Sequence, residues 1–132
     1  MIASDIREIL DMLLERSKRR EVNWVETKDM VGMVVDKSGE DYVVALPNSS
    51  INIWRSSKPD KVVGNILNSE GKVVLGFSAN EADPDFPFLE ELLSWAKRSA
   101  LKADETLSEI KRALADKGRV GSNPKKDDEI PF

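Results

Sequence analysis

From Met30 to Phe77 the chain is a succession of short β-type runs with very little chain between them, and this spacing limits the fold more than any other feature. The runs are Met30–Val35, Tyr42–Leu46, the alternating stretch Ile51-Asn52-Ile53-Trp54, Val62–Leu67 and Lys72–Phe77. Between them lie Lys37–Asp41 with its Gly39, Pro47-Asn48-Ser49, Lys58-Pro59-Asp60 and Asn68-Ser69-Glu70-Gly71, each rich in turn-forming residues. A parallel crossover needs a dozen residues or more, so connections this short make neighbouring strands antiparallel. The expected core element is a meander of four or five strands.

A sheet of this kind needs one face covered, and both ends of the chain supply helices. Ile2, Ile6, Ile9, Leu10, Leu13 and Leu14 recur at three- and four-residue steps, with Ser4 or Asp5 as the cap and Asp5 and Glu8 at capping-box spacing. This helix is expected to end near Arg20, and Arg16, Lys18, Arg19 and Arg20 complement the negative end of its dipole. After a loop from Glu81 to Pro87, Phe88, Leu89, Leu92, Leu93, Trp95, Ala96 and Leu101 repeat at helical spacing. Ala103, Leu107, Ile110, Ala113 and Leu114 continue the pattern, as a second helix capped by Asp104 or as one bent helix, with Gly118 as its stop. The fold class is therefore α+β: an N-terminal helix, an antiparallel meander, and a C-terminal helix or helix pair, spanning residues 1–118. Trp24 and Trp95 fit the core.

Composition narrows the chemistry. With no Cys and no His, disulfides, thiolate nucleophiles, Ser-His-Asp triads and ordinary zinc sites are excluded, and the seven glycines form no phosphate-binding loop. The helical carboxylates Glu90, Glu91, Asp104, Glu105 and Glu109 read as solvated faces. No catalytic residue, metal ligand or cofactor site is assigned, and the chain is expected not to be an enzyme. No apolar run approaches the roughly 20 residues that span a bilayer, and no secretory signal pattern opens the sequence, so a cytoplasmic protein is expected.

The end of the chain follows different rules. Residues 119–126, with Gly121-Ser122-Asn123-Pro124 and Lys125-Lys126, have no apolar periodicity and read as a flexible linker with a reach of roughly 15 to 20 Å. Beyond it, Asp127-Asp128-Glu129-Ile130-Pro131-Phe132 has no face to bury against itself and is expected to be a disordered acidic tail until a receptor holds it. Ile130 and Phe132 are apolar knobs worth roughly 1.5 to 3 kcal/mol each if fully buried, and Pro131 reduces the entropy lost on docking. A terminal carboxylate on Phe132 suits a bidentate Arg, and the three acids suit a basic rim.

These six residues resemble the acidic tip of bacterial single-stranded DNA-binding proteins, an acidic run closing on Ile-Pro-Phe. The resemblance implies a partner: a replication, recombination or repair enzyme with a pocket for that tip, engaged at an affinity near micromolar. It covers 127–132 alone. That family's tip follows a five-stranded Greek-key barrel with a helix between its third and fourth strands, whereas the helical patterns here lie outside the β block.

The resulting expectation is an adaptor or modulator that recruits this domain to DNA-processing enzymes or competes for their tip pocket, as a phage or anti-phage protein would. A different class of reading is a single-stranded DNA-binding domain in which Trp54 stacks on bases and Arg55, Lys58 and Lys61 hold phosphates. Against it, taking Lys125, Lys126, Asp127, Asp128 and Glu129 from the 20 basic and 24 acidic residues leaves 18 and 21, a net of −3 with little general attraction for phosphate. A third is a small interaction or immunity-type domain whose acidic end is incidental. Alternatively the acidic tip folds back onto Arg16–Arg20 or onto a neighbouring subunit, and the stripe Leu107, Ile110 and Leu114 reads equally as a partner-facing surface or as packing on the sheet; a homo-oligomer is compatible with each reading.

Overall fold

The computed structural model describes residues 2–29, 40–57 and 60–116. They fall into two units, divided between Leu101 and Lys102. The expected strand Met30–Val35, most of the loop after it, Lys58 and Pro59, Gly118, the linker 119–126 and the tip 127–132 all lie outside the described residues.

The first unit is α+β, as the spacing requires. Helix α1 (Ser4–Lys18) leads to the two-residue strand β1 (Val25–Glu26) and a 3₁₀ turn over Thr27–Asp29. Strands β2 (Asp41–Leu46), β3 (Ser49–Ser57), β4 (Asp60–Leu67) and β5 (Val73–Asn80) follow, and then helix α2 (Phe86–Ala100). The sheet order is β1-β2-β3-β4-β5 with every neighbouring pair antiparallel. Only two residues, Pro47 and Asn48, separate β2 from β3, and β3 and β4 are likewise two residues apart. At the β4–β5 turn, Asn68 Oδ1 accepts the N–H groups of Glu70 (2.9 Å) and Lys72 (3.1 Å), and Gly71 takes φ +79. An added Cβ at Gly71 meets open space, so only its left-handed backbone calls for glycine there.

The period-2 pattern sorts the strands into two faces. Tyr42, Val44, Ile51, Ile53, Val62, Phe77 and Ala79 join one core with Ile6, Leu10, Leu13 and Leu14 of α1 and Phe86, Leu89, Leu92, Leu93 and Ala96 of α2. α2 packs on β1, β2, β4 and β5, and α1 packs beside α2. Gly64 stands opposite Phe77 in register, and the Phe77 ring occupies the space that a Cβ on Gly64 would need. Trp24 is buried between the helices: its indole N–H donates to Ser17 Oγ at 3.0 Å and its backbone N–H to Ser99 Oγ at 3.0 Å. Asp85 ties the helix starts together, accepting the Ile2 N–H (2.9 Å) and Arg7 Nη1 (2.8 Å), while the Arg7 guanidinium lies 3.7 Å over the Phe88 ring.

Several details differ from the sequence reading. Ala3 occupies the cap position of α1, and Asp5 sits in the first turn, where its carboxylate accepts the Ile6 N–H at 2.8 Å, so no capping box forms. The helix ends at Lys18, two residues short of Arg20, which has φ 60. α2 begins at Phe86 inside the expected loop, with Pro87 in its first turn, a place where a missing N–H costs nothing. Trp95 packs against the core as expected but is only half-buried, with the Arg98 guanidinium 5.5 Å from its ring centre.

In the second unit, helix α3 spans Ala103–Ala115. Lys102, with φ 55, interrupts the helical backbone after α2, so these are two helices and not one bent helix. Lys102 occupies the cap position and makes no side-chain cap bond, Asp104 and Glu105 lie in the first turn, and α3 ends at Ala115, before the expected stop. Leu107, Ile110 and Leu114 are exposed along it.

Candidate functional site

Trp54 and Arg55 are adjacent on β3, so the pleat sends them to opposite faces. Arg55 is on the helix side. Its Nε lies 3.2 Å from Glu40 Oε2, its Nη1 3.1 Å from Asp60 Oδ1 and its Nη2 3.0 Å from Glu90 Oε2 on α2. Lys97 Nζ adds a longer contact to Glu40, 3.8 Å. Three carboxylates thus surround two cations, a local excess of negative charge. Burial alone would lower the Arg55 pKa, but hydrogen bonds to Glu90, Asp60 and Glu40 outweigh it and push the pKa up, so the guanidinium stays charged at any working pH. Its donors already serve the fold, joining β3, the start of β4 and α2, instead of standing ready for phosphate.

Trp54 lies on the other face, half-buried, in register with Asp41 on β2 and Val63 on β4. Lys61 shares that face, opposite Ser56, and is also half-buried. Lys58 lies outside the described residues. Of the four residues expected to hold a single strand, the described structure therefore brings Trp54 and Lys61 to one face and sends Arg55 to the other.

Beside Trp54 lies a buried polar cluster that sequence reasoning did not single out. Thr27 Oγ1 donates to Asp41 Oδ1 at 2.6 Å. The Asn52 amide group donates toward Asp41 Oδ1 (2.6 Å), the Tyr42 carbonyl (2.9 Å) and Thr27 Oγ1 (3.1 Å). Thr27 is 0%, Asp41 6% and Asn52 6% exposed, values far below those of a solvated strand face. In the low-dielectric setting these bonds fix the 3₁₀ turn against β2 and β3. On the helix side, burial first, and then the carboxylates of Glu40, Glu26 and Asp41, push the Tyr42 phenol above its ordinary 10.0. The only sequence signal for the cluster is Asn52 between two isoleucines, which alternation alone assigns to solvent.

Two of the basic residues at the end of α1 are engaged as well. Arg16 Nε is 3.2 Å from Glu21, and Lys18 Nζ is 3.1 Å from Glu91 and 3.9 Å from Glu15. Glu90 and Glu91 thus act in ion pairs across elements, in addition to facing water. Among the described residues no group of three or more Asp or Glu side chains is placed to hold a metal ion. Among them, too, no helix is long and apolar enough to cross a membrane. Asp127, Asp128, Glu129, Ile130, Pro131 and Phe132 lie outside the described residues, so their reading rests on sequence. Compared with known proteins, the chain matches no family model, no curated protein and no solved structure.

Proposed function

We propose that this chain is a non-enzymatic adaptor that presents residues 127–132 to a DNA-processing enzyme carrying a pocket for the single-stranded DNA-binding-protein tip. The observation that carries the reading is the match of Asp127-Asp128-Glu129-Ile130-Pro131-Phe132 to that tip in residue type and order. Ile130 and Phe132 supply the buried knobs, Pro131 the restricted backbone, and the acids the attraction to a basic rim. The body supports this division of labour, because Arg55, Arg16 and Lys18 are committed to carboxylates within it. The adaptor acts by recruiting its own domain to the enzyme or by occupying the pocket in place of the usual tip.

The experiment is a binding panel. Full-length protein and a variant lacking only Phe132 are passed over immobilised enzymes that recognise the tip. The reading expects at least one enzyme to retain the full-length chain and to lose it, by tenfold or more, without Phe132; a tenfold loss corresponds to about 1.4 kcal/mol, less than a buried Phe contributes. Equal retention of both forms, or of neither, removes the reading.

A further inference from the structure

Among the described residues the sheet ends in two edges of opposite construction. On one side β1 is two residues long and turns at once into the 3₁₀ segment, a short edge of the kind that blocks further pairing. On the other, β5 runs eight residues and pairs only with β4 among the described residues. Its outer backbone N–H and C=O groups have no sheet partner there; at its end those of Asn80 are taken by Asp83, whose carboxylate accepts the N–H (3.0 Å) and whose N–H donates to the C=O (2.9 Å), which leaves Val73–Ala79 open. From Val73 to Asn80 the strand contains no charged residue and no proline, the usual devices that keep an edge single. A register shift opposite Ile66 and Leu67 disturbs only its first residues; Leu75–Asn80 pairs regularly with Lys61–Ile66. Val73, Val74 and Leu75 are 56%, 52% and 48% exposed, three consecutive large apolar side chains on an open edge.

We propose that β5 is a self-association edge, on which β5 of a second copy adds antiparallel to continue the sheet across a two-fold axis. Chemistry selects the occupant: a row of unpaired backbone groups is satisfied by another β-strand, and the apolar residues flanking it favour an apolar strand. A second copy offers both, with the same length and the same neutral edge. The net charge of −4 resides elsewhere, so no charge within Val73–Asn80 opposes the approach of an identical strand. An isologous two-fold contact also closes on itself, leaving the short β1 edges outermost and stopping growth at two copies. With Val73–Ala79 free to pair, the contact is about 24 Å long at 3.4 Å per residue, which is modest, so the dimer is expected to be weak, with a dissociation constant on the order of tens of micromolar. This surface is independent of the tip reading; if both hold, one dimer displays two tips.

The test is sedimentation equilibrium of the full-length chain from about 5 to 500 µM, bracketing the weak association expected of a small interface. The mass should rise from 14.8 kDa toward twice that value. Val74→Lys and, separately, Ser78→Lys place charge on exposed positions of β5 and should raise the dissociation constant at least about tenfold, because each sets an ammonium group into the paired edge, the device that keeps natural edges single. Circular dichroism and thermal unfolding at low concentration should match the parent, showing that each variant is folded. Val25→Lys on the opposite edge and Leu107→Lys on α3 should leave the dimer unchanged. A monomer throughout the range overturns the proposal, as does a dimer that survives both β5 variants or is lost with Leu107→Lys.

Discussion

The helix-covered face of the sheet and the face behind it are made from the same strands, yet they hold the fold by different means. On the first, Tyr42, Val44, Ile51, Ile53, Val62 and Phe77 meet α1 and α2 in an apolar core, and the polar groups at its margin, Arg55 with Glu40, Asp60 and Glu90, are ion pairs at the rim. On the second, Asn52 and Asp41 are buried with Thr27 in a hydrogen-bonded cluster, and Trp54 and Lys61 beside them remain half-buried. The difference teaches that position along a strand says little about a surface patch. Trp54 and Arg55 are neighbours in sequence and are separated by the thickness of the sheet.

The sharpest way to break this comparison is a pair of glycine substitutions on β4 and β5. Gly64→Ala on the core face sets a methyl into the Phe77 ring and within 2.7 Å of the Asn52 carbonyl oxygen, and should cost roughly 3 kcal/mol, at the upper end for overpacking. Gly76→Ala on the opposite face meets only Asn65 Oδ1 at 3.4 Å and the Gly64 carbonyl at 3.7 Å. It should stay within about 0.5 kcal/mol of the parent in denaturant unfolding. Equal costs at the two sites would mean that the faces are not distinguished as described.

A smaller effect is expected at the polar cluster. Asn52→Ala removes donors from Asp41 and from the Tyr42 carbonyl, and should destabilise by about 1 to 3 kcal/mol, as the loss of partners for buried acceptors does. An unchanged unfolding midpoint would show that water replaces the amide freely and that this face is in effect open.

The smallest effect concerns pH. The Tyr42 phenol is pushed above 10.0 in the fold, so near that value the native state binds more protons than the unfolded one. Its contribution is therefore complete below pH 10 and is lost as pH climbs through the folded value. Tyr42→Phe should flatten this alkaline limb in urea titrations between about pH 9 and 11. A limb of unchanged slope would assign the alkaline sensitivity to other groups.

Much of the architecture was legible because it depends on local spacing. The three- and four-residue steps of Ile6, Leu10, Leu13 and Leu14, and of Leu89, Leu92, Leu93 and Ala96, place the helices, and the short connections fix an antiparallel meander. What was not legible depends on distant partners. β1, at two residues, is too short to carry a period, and it exists because it pairs with Tyr42 and Val43. Asn52 has the sequence environment of a solvated position and is buried only because Thr27 and Asp41 reach it from elsewhere in the chain. Arg55 has the composition of a phosphate contact until α2 brings Glu90 to it. Pro87 marked a loop, although the first turn of a helix accepts proline equally well. The tip differs again, since its meaning is read entirely from residue type and order.

The most direct measurement of the adaptor account is a competition by fluorescence anisotropy, in which full-length protein displaces a labelled peptide of residues 127–132 from a tip-binding enzyme. The account predicts displacement near micromolar concentration that weakens as salt is raised and disappears without Phe132. Full-length protein that binds the enzyme and leaves the peptide in place, or that displaces it equally well without Phe132, would contradict it.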